Sequence, residues 1–219
     1  MANPVPTPIP IPMANQYTRN PPLLEADVTA DPLQQLQRWL DDAVAIGMIE
    51  PTAMTLATVD ADGRPSARVV LLKGLDAAGL AFYTHYDSRK ARALAAHPHA
   101  AATFWWDRLE RSVRVEGRVE KLTPAESEAY FRSRPLGSQI GALTSRQSRV
   151  VESRESLDAR FAENEQKYGG GNLPFPSDWG GYRLKPDAIE FWQGRANRVH
   201  DRLVYRQVGG VWRLERLEP

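Results

Sequence analysis

The sequence predicts a mainly β protein with flanking helices, an α+β fold in which an antiparallel sheet or barrel is assembled from strands on both sides of a helical middle. Three observations carry this. Residues 53–122 read mostly as short β segments, helical patterns concentrate between 123 and 168, and β texture returns from Trp179 to the end. The regular strand–helix alternation of a parallel sheet is missing. The glycine-rich "GGGNLP" at 169–174 follows a helix instead of a strand, so it does not resemble a dinucleotide-binding turn.

Each element has a local reason. The start, "MANPVPTPIPIPMANQYTRNPP", holds seven of the 17 prolines and one basic residue, Arg19. Alternating proline blocks a helix, and no basic stretch precedes an apolar one, so residues 1–30 read as a mobile polyproline-like arm and not as a secretory signal. Residues 31–219 read as one domain. "DPLQQLQRWLDDAVAIGM" opens with Asp31 as N-cap and Pro32 at the first helical position, and places Leu33, Leu36, Trp39, Leu40, Val44 and Met48 on an apolar stripe. "AMTLATV", "SARVVLLKGL" and "LAFYTHY", separated by turns at "DADGRP" and "DAAG", read as a meander. A short helix in "SRKARALAAH", capped by Ser88, precedes strands in "AAATFWW" and "RSVRVEGRVEKL". Helices follow in "TPAESEAYFRSR", capped by Thr123, and across 152–168. The last block holds three or four strands with a hairpin turn at Gly209 and Gly210.

Composition removes several function classes. Lys plus Arg total 28 against 27 Asp plus Glu, so no general positive field exists to hold a nucleic-acid backbone, and any cationic site must be local. No apolar run approaches the roughly 20 residues that span a bilayer. Cysteine is absent, which excludes disulfides and thiolate chemistry and fits a cytoplasmic protein. His97 and His99 form the one close histidine pair, but spacing indicates no further ligands, so no metal is expected. No serine sits in a "GxSxG" elbow.

The cationic stretches are more informative. "ARVVLLK" puts Arg68 and Lys73 on an apolar strand, and "SRK" puts Arg89 and Lys90 at a helix start, where free N–H groups favour an anion such as phosphate. The alternative is that all four are solvated surface charges. Arg68 and Lys73 are five apart, nominally on opposite strand faces, so either a bulge intervenes or they serve different groups. "YFRSRPLGS" spaces Tyr130, Arg134 and Ser138 at four-residue steps, one helix face if helical geometry survived Pro135, which it cannot fully do. "RANRVHDR" puts Arg198, His200 and Arg202 on alternate positions, one face of an extended strand. Trp192 just before it offers a flat apolar wall for a ring, or ordinary core packing.

"RVVLLK", "FYTHYDSRK", "YFRSRPLGSQIGALTSRQS", "WGGYRL" and "IEFWQGRANRVHDR" together resemble, in order and spacing, the motifs of the pyridoxine (pyridoxamine) 5′-phosphate oxidase family, from about Asp31 to Pro219. The resemblance implies an FMN-binding split β-barrel and a homodimer with two active sites at its interface. It implies oxidation of pyridoxine 5′-phosphate or pyridoxamine 5′-phosphate to pyridoxal 5′-phosphate, by hydride transfer from C4′ to flavin N5 and reoxidation by O2. By carry-over, Arg68, Val69, Leu71, Leu72 and Lys73 line the flavin, while Tyr83, Thr84, Arg89, Lys90, Gln147 and Ser148 hold FMN. Trp192 and Arg202 complete that site from the partner subunit. Lys73, Tyr130, Arg134 and Ser138 meet the substrate phosphate, and Arg198 and His200 address the pyridine ring as the catalytic pair.

Two departures stand out. Ser112 in "LERSV" replaces the glutamine usual in the family, which shortens one flavin contact, and Tyr17 in "MANQYTR" lacks the basic residues that precede the family's substrate-covering tyrosine. Two other functions compete: a phenazine-biosynthesis-type flavin oxidase, which would not need the phosphate-binding "YFRSR" and "GSQIG", and a non-catalytic flavin- or haem-binding split barrel, which would not need Arg198 and His200.

Overall fold

The computed structural model describes residues 17–219; residues 1–16, with most of the proline-rich arm, lie outside the described residues. Residues 17–30, expected as part of that arm, are tied to the body: Leu23 is buried, its N–H donates to Asp201 Oδ2 at 3.1 Å, and the Asn20 amide donates to the Leu109 carbonyl at 2.8 Å.

Helix α1 (Pro32–Ala45) starts as the sequence predicts, with the Asp31 carboxylate accepting the Leu33 N–H at 2.9 Å. Leu33, Leu36, Trp39 and Leu40 are buried, but Val44 is exposed, and Ala43 is buried instead. The stripe follows the Leu36–Trp39–Ala43 row, one turn above another, and leaves position 44 outside it.

Strands β1 (Ala53–Val59), β2 (Pro65–Leu71), β3 (Gly74–Asp76), β4 (Gly79–His85), β5 (His99–Trp106), β6 (Arg111–Lys121), β7 (Trp179–Gln193), β8 (Asp201–Val208) and β9 (Val211–Arg216) form one antiparallel sheet. Its order is β2-β1-β5-β6-β7-β4-β3, with β8 and β9 continuing from β7. The 15-residue β7 makes this possible: its first part pairs with β4, its second with β8, and β6 runs along its other edge. The two ends of the seven-strand path, β2 and β3, are separated in the chain by only Leu72 and Lys73, so the sheet curls until its ends meet. That is a split barrel.

The predicted single strand "SARVVLLKGL" is therefore two strands, and "LAFYTHY" lies across the barrel from β2 instead of beside it. The break has a visible cause. The Leu72 N–H donates to the Thr52 carbonyl at 2.9 Å, whereas the Lys73 N–H donates to the Ala81 carbonyl at 2.8 Å, so neighbouring residues serve opposite edges. A bulge between Glu116 and Gly117 bends the β6–β7 pair. A Cβ on Gly117 would overlap the Lys185 backbone carbonyl, and no side chain stands there to move aside. Gly117→Ala is expected to destabilise the fold by about 1–3 kcal/mol, read as a lowered denaturation midpoint at unchanged slope.

Helix α2 (Arg89–Ala96) is capped by Ser88, and α3 (Pro124–Ser133) by a capping box between Thr123 and Glu126, as their sequences predict. Helix α4 (Leu136–Thr144) was not anticipated: Pro135 keeps α3 from continuing and stands at the N-terminal boundary of the next helix without a side-chain cap, and the apolar Ile140 and Ala142 of α4 are buried. Helix α5 (Arg154–Tyr168) follows, and the glycine pair after β8 takes φ +60° and +83° to turn the last hairpin. The main core lies between α1 and the sheet, around Leu36, Trp39, Leu56, Phe104, Phe191 and Tyr205. A second, smaller cluster of Phe131, Ala142 and Trp179 packs under α3 and α4. Among the described residues no helix is long and apolar enough to cross a membrane.

Candidate active site

A cavity of about 610 Å³ opens where β2, the end of β4, α3 and α4 converge. Its walls carry Lys73, Lys90 and Arg134, together with Tyr83, Thr84, Tyr130, Ser138 and Gln147, and among the described residues no Asp or Glu. Three cations without a carboxylate, in a recess, form a site for an anion. Val69 and Leu71 line the same cavity from alternate positions of β2. Leu72 does not, because its side chain is buried in the main core.

The polar half is tightly organised. The Lys90 ammonium donates to Thr84 Oγ1 at 3.1 Å and to Gln147 Oε1 at 2.9 Å, and the Thr84 hydroxyl donates to the same Gln147 oxygen at 2.6 Å. Burial, with the nearby Arg68 charge as the second cause, lowers the Lys90 pKa to about 8. Arg68 and Lys73 do serve different groups. The Arg68 guanidinium donates to the Leu56 carbonyl at 3.1 Å, Thr58 Oγ1 at 2.8 Å and Ser66 Oγ at 2.6 Å, and it does not line the cavity. Arg89 is exposed and bound to Asp60 at 2.6 Å, so the expected contact to the cofactor is engaged elsewhere. Ser148 lies outside the cavity, in the following loop at φ +69°.

On the opposite wall, Tyr130 stacks on Tyr83 with ring centroids 3.8 Å apart, and the Arg134 guanidinium lies 4.9 Å from the Trp179 ring centroid. Burial raises the Tyr130 pKa and lowers that of Arg134. Arg134 Nη1 is buried and has no hydrogen-bond partner among the described residues. A buried guanidinium donor without an acceptor is costly, and an anionic ligand would remove that cost. Tyr130, Arg134 and Ser138 meet here although Arg134 is extended (ψ 151°): the Arg134–Pro135 break replaces a regular helix and still turns all three inward. Trp179 was missed in the sequence, where nothing distinguishes it from a core tryptophan.

The remaining predicted residues form a second group. Trp192 and His200 have ring centroids 4.5 Å apart, and Tyr17 meets both edge-on at 5.7 and 5.6 Å. The Gly194 position must be small, since the Tyr17 ring occupies the space of a Cβ. The expected strand through Arg198, His200 and Arg202 is corrected: Ala196–Arg198 form a tight turn, Asn197 and Arg198 have φ +58° and +63°, and β8 begins only at Asp201. Non-glycine residues held at positive φ store strain that clusters at functional sites. His200 Nδ1 accepts the Arg195 N–H at 3.1 Å, which leaves Nε2 to carry the ring proton, and burial, then the Arg198 charge, lower its pKa. Arg202 is fixed by Glu190 at 2.7 Å, and the Arg114 guanidinium holds the other Glu190 oxygen at 2.6 Å; sequence reading singled out neither Glu190 nor Arg114. Ser112 sits opposite Trp192 in the ladder and donates to the Phe104 carbonyl at 2.9 Å. Neither Ser112 nor Trp192 reaches the first cavity; both line a separate recess with Glu190 and Arg114.

A curled antiparallel sheet with a cationic, aromatic-walled cavity at its seam defines a split-barrel protein with a site for an anionic ligand. The family model described as pyridoxamine 5′-phosphate oxidase matches residues 40–168, and that of the pyridoxine 5′-phosphate oxidase C-terminal dimerisation region matches residues 179–219. The chain belongs to the pyridoxine/pyridoxamine 5′-phosphate oxidase family and is an oxidase. It is 58% identical over 198 residues to the pyridoxine/pyridoxamine 5′-phosphate oxidase of Cupriavidus necator, covering 90% of this chain and 93% of that one. The enzyme of the same description from Thermosynechococcus vestitus is 57% identical over 197 residues, with the same coverage. Among solved structures, PhzG from Burkholderia lata in complex with tetrahydrophenazine-1-carboxylic acid superposes with a TM-score of 0.85 at 33% identity, covering 90% of this chain and 98% of that one.

Proposed function

We propose that this chain oxidises pyridoxine 5′-phosphate and pyridoxamine 5′-phosphate to pyridoxal 5′-phosphate, with FMN as cofactor and O2 as terminal acceptor. The observation that carries the reading is a cavity with three cations and, among the described residues, no carboxylate in its walls and no partner for the buried Arg134 Nη1. Such a donor set fits phosphate monoesters, on the cofactor and on the substrate. Lys90, Thr84 and Gln147 would hold the flavin side, with Val69 and Leu71 against its ring. Lys73, Tyr130, Arg134 and Ser138 would hold the substrate phosphate. Bound FMN supplies a two-electron acceptor that O2 reoxidises. Arg198 and the neutral His200, which presents an Nε2–H donor, would orient the pyridine ring, and Trp192 and Arg202 would close the flavin side. A cytoplasmic setting belongs to the same proposal, since phosphorylated vitamers do not cross membranes unaided.

The two groups of residues do not share a cavity within one chain, so the proposed assembly is a homodimer in which each site takes one group from each subunit. Co-expressed Arg134→Met and Arg198→Ala chains should then recover about a quarter of parent activity at limiting substrate, because half of randomly paired dimers are mixed and each has one intact site. Activity no higher than that of the separate variants would place both groups in the same subunit.

Lys90 makes the cofactor affinity pH-dependent. A phosphate beside it favours the ammonium, so affinity should fall as pH rises through about 8, by up to tenfold per unit, until the bound-state pKa is passed. In the ligand-free protein the sign is opposite. An unfolded chain keeps this proton up to about 10.5, so the fold gains stability between those two values. Flavin release measured across this range should lose its slope in Lys90→Met.

Anaerobic mixing of the flavin-loaded protein with pyridoxamine 5′-phosphate tests the assignment. Bleaching of the visible flavin band, its return on admitting oxygen, and formation of pyridoxal 5′-phosphate are expected. A yellow protein that bleaches with neither phosphorylated vitamer would overturn it, and turnover of a dihydrophenazine carboxylic acid in their place would favour the activity class of the phenazine-associated neighbour.

A further inference from the structure

At the edge of the cavity, His85, a lining residue outside the proposed flavin and substrate contacts, converges with two carboxylates that do not line it. His85 ends β4, Asp87 lies in the turn before α2, and Asp178 directly precedes β7; ligand atoms of all three lie within 4.8 Å of one another. The backbone fixes this arrangement. His85 pairs with Trp179 in the β4–β7 ladder, and the Tyr86 N–H donates to the Asp178 carbonyl at 2.6 Å. Two strands and a capped helix start therefore hold the three positions, as a preorganised site requires.

The His85 side chain is only 5% exposed, and its Nδ1 has no hydrogen-bond partner among the described residues. It faces Asp178 Oδ2 at 3.6 Å, beyond hydrogen-bond reach. Asp87 Oδ1 is likewise buried without a partner, while its Oδ2 accepts from Arg149 at 2.8 Å. A buried imidazole nitrogen and a buried carboxylate oxygen, neither with a hydrogen-bond partner among the described residues, thus stand with a third oxygen around one gap, and buried polar atoms left unpaired cost free energy. The spacing also suits a metal: ligands bonded at about 2.1 Å to a tetrahedral ion stand about 3.4 Å apart. Arg149 on the far Asp87 oxygen is the outer contact that orients a ligating carboxylate. The exposed side of Asp178 leaves a coordination position for water.

We infer that His85, Asp87 and Asp178 form a binding site for a divalent first-row transition metal, with Zn2+ as the best fit to one imidazole and two carboxylates. The ion would clamp the β4 end, the α2 start and the β7 start together, next to Thr84 and Lys90. It is a structural site, distinct from the proposed redox chemistry.

The test is calorimetric titration of Zn2+ into the tag-free flavoprotein in a phosphate-free buffer, with thermal unfolding followed in parallel. One tight site per chain and a Zn2+-dependent rise in Tm are expected. Asp178→Asn, at a largely exposed side chain, should weaken that site at least about tenfold and abolish the Tm rise, and His85→Asn should do the same. His97→Ala with His99→Ala should leave it intact, since both imidazoles are exposed on the surface. Absence of a tight site, a site unchanged in Asp178→Asn, or a site lost in the His97/His99 variant would each overturn the inference.

Discussion

Replacing Arg134 by methionine is expected to raise the Michaelis constant for either phosphorylated vitamer by about 10- to 100-fold, the equivalent of one charge-assisted hydrogen bond, with a smaller effect on kcat. The same variant should be at least as stable as the parent when no ligand is bound. Both effects have one cause. Arg134 Nη1 is buried with no partner among the described residues, so the ligand-free fold carries a desolvated donor that only the substrate's phosphate would satisfy. Methionine keeps much of the apolar stem against Phe131 and Trp179 and removes that donor. Steady-state kinetics and thermal melts on the same preparations check the pair. A KM unchanged within twofold would remove Arg134 from the phosphate site, and a marked loss of stability would show that the guanidinium is paired in the fold.

Arg198 predicts the opposite kinetic pattern. Arg198→Ala should lower kcat/KM by about 100-fold, with a large part of the loss in kcat, because a group that orients the ring matters most in the transition state. Arg198 is exposed and sits at φ +63°, next to Asn197 at +58°. A side chain anchoring the fold would not be placed at a strained turn and left in solvent. Arg198→Gly separates the two contributions. It relieves the positive φ and should keep the parent melting temperature while losing turnover as fully as alanine does. Single-turnover flavin reduction by pyridoxamine 5′-phosphate, compared with steady-state kcat, locates the loss in the chemical step. A defect confined to KM would make Arg198 a binding residue only.

Local chemistry made much of the architecture legible. Asp31, Ser88 and Thr123 announce three helix starts through their capping oxygens, and all three cap in the structure. The alternation in "RSVRVEGRVEKL" and the glycine pair at 209 and 210 announce a strand and a hairpin. The order of motifs from Asp31 to Pro219 pointed to the family, and with it to most of the residues that line the cavity.

What tertiary structure alone decided depends on partners distant in the chain. The break at Leu72 and Lys73 arises because their N–H groups find carbonyls on opposite edges, at Thr52 and Ala81, and no period within "SARVVLLKGL" encodes that. Arg198, His200 and Arg202 do not share a strand face, since two residues at positive φ reset the alternation before β8 begins. Arg89 shows the same limit: a helix start favours an anion, but whether that anion is a ligand or Asp60, 29 positions away, is settled by packing. The sequence by itself determined most of the helix and strand segments, α4 and the breaks at Leu72–Lys73 and Ala196–Arg198 excepted, and which family they compose, because capping, periodicity and turn geometry are short-range. The division of the site residues between a cavity and a separate wall, and the unpartnered donor at Arg134, were decided by the closing of the barrel, because burial and pairing exist only once distant strands meet.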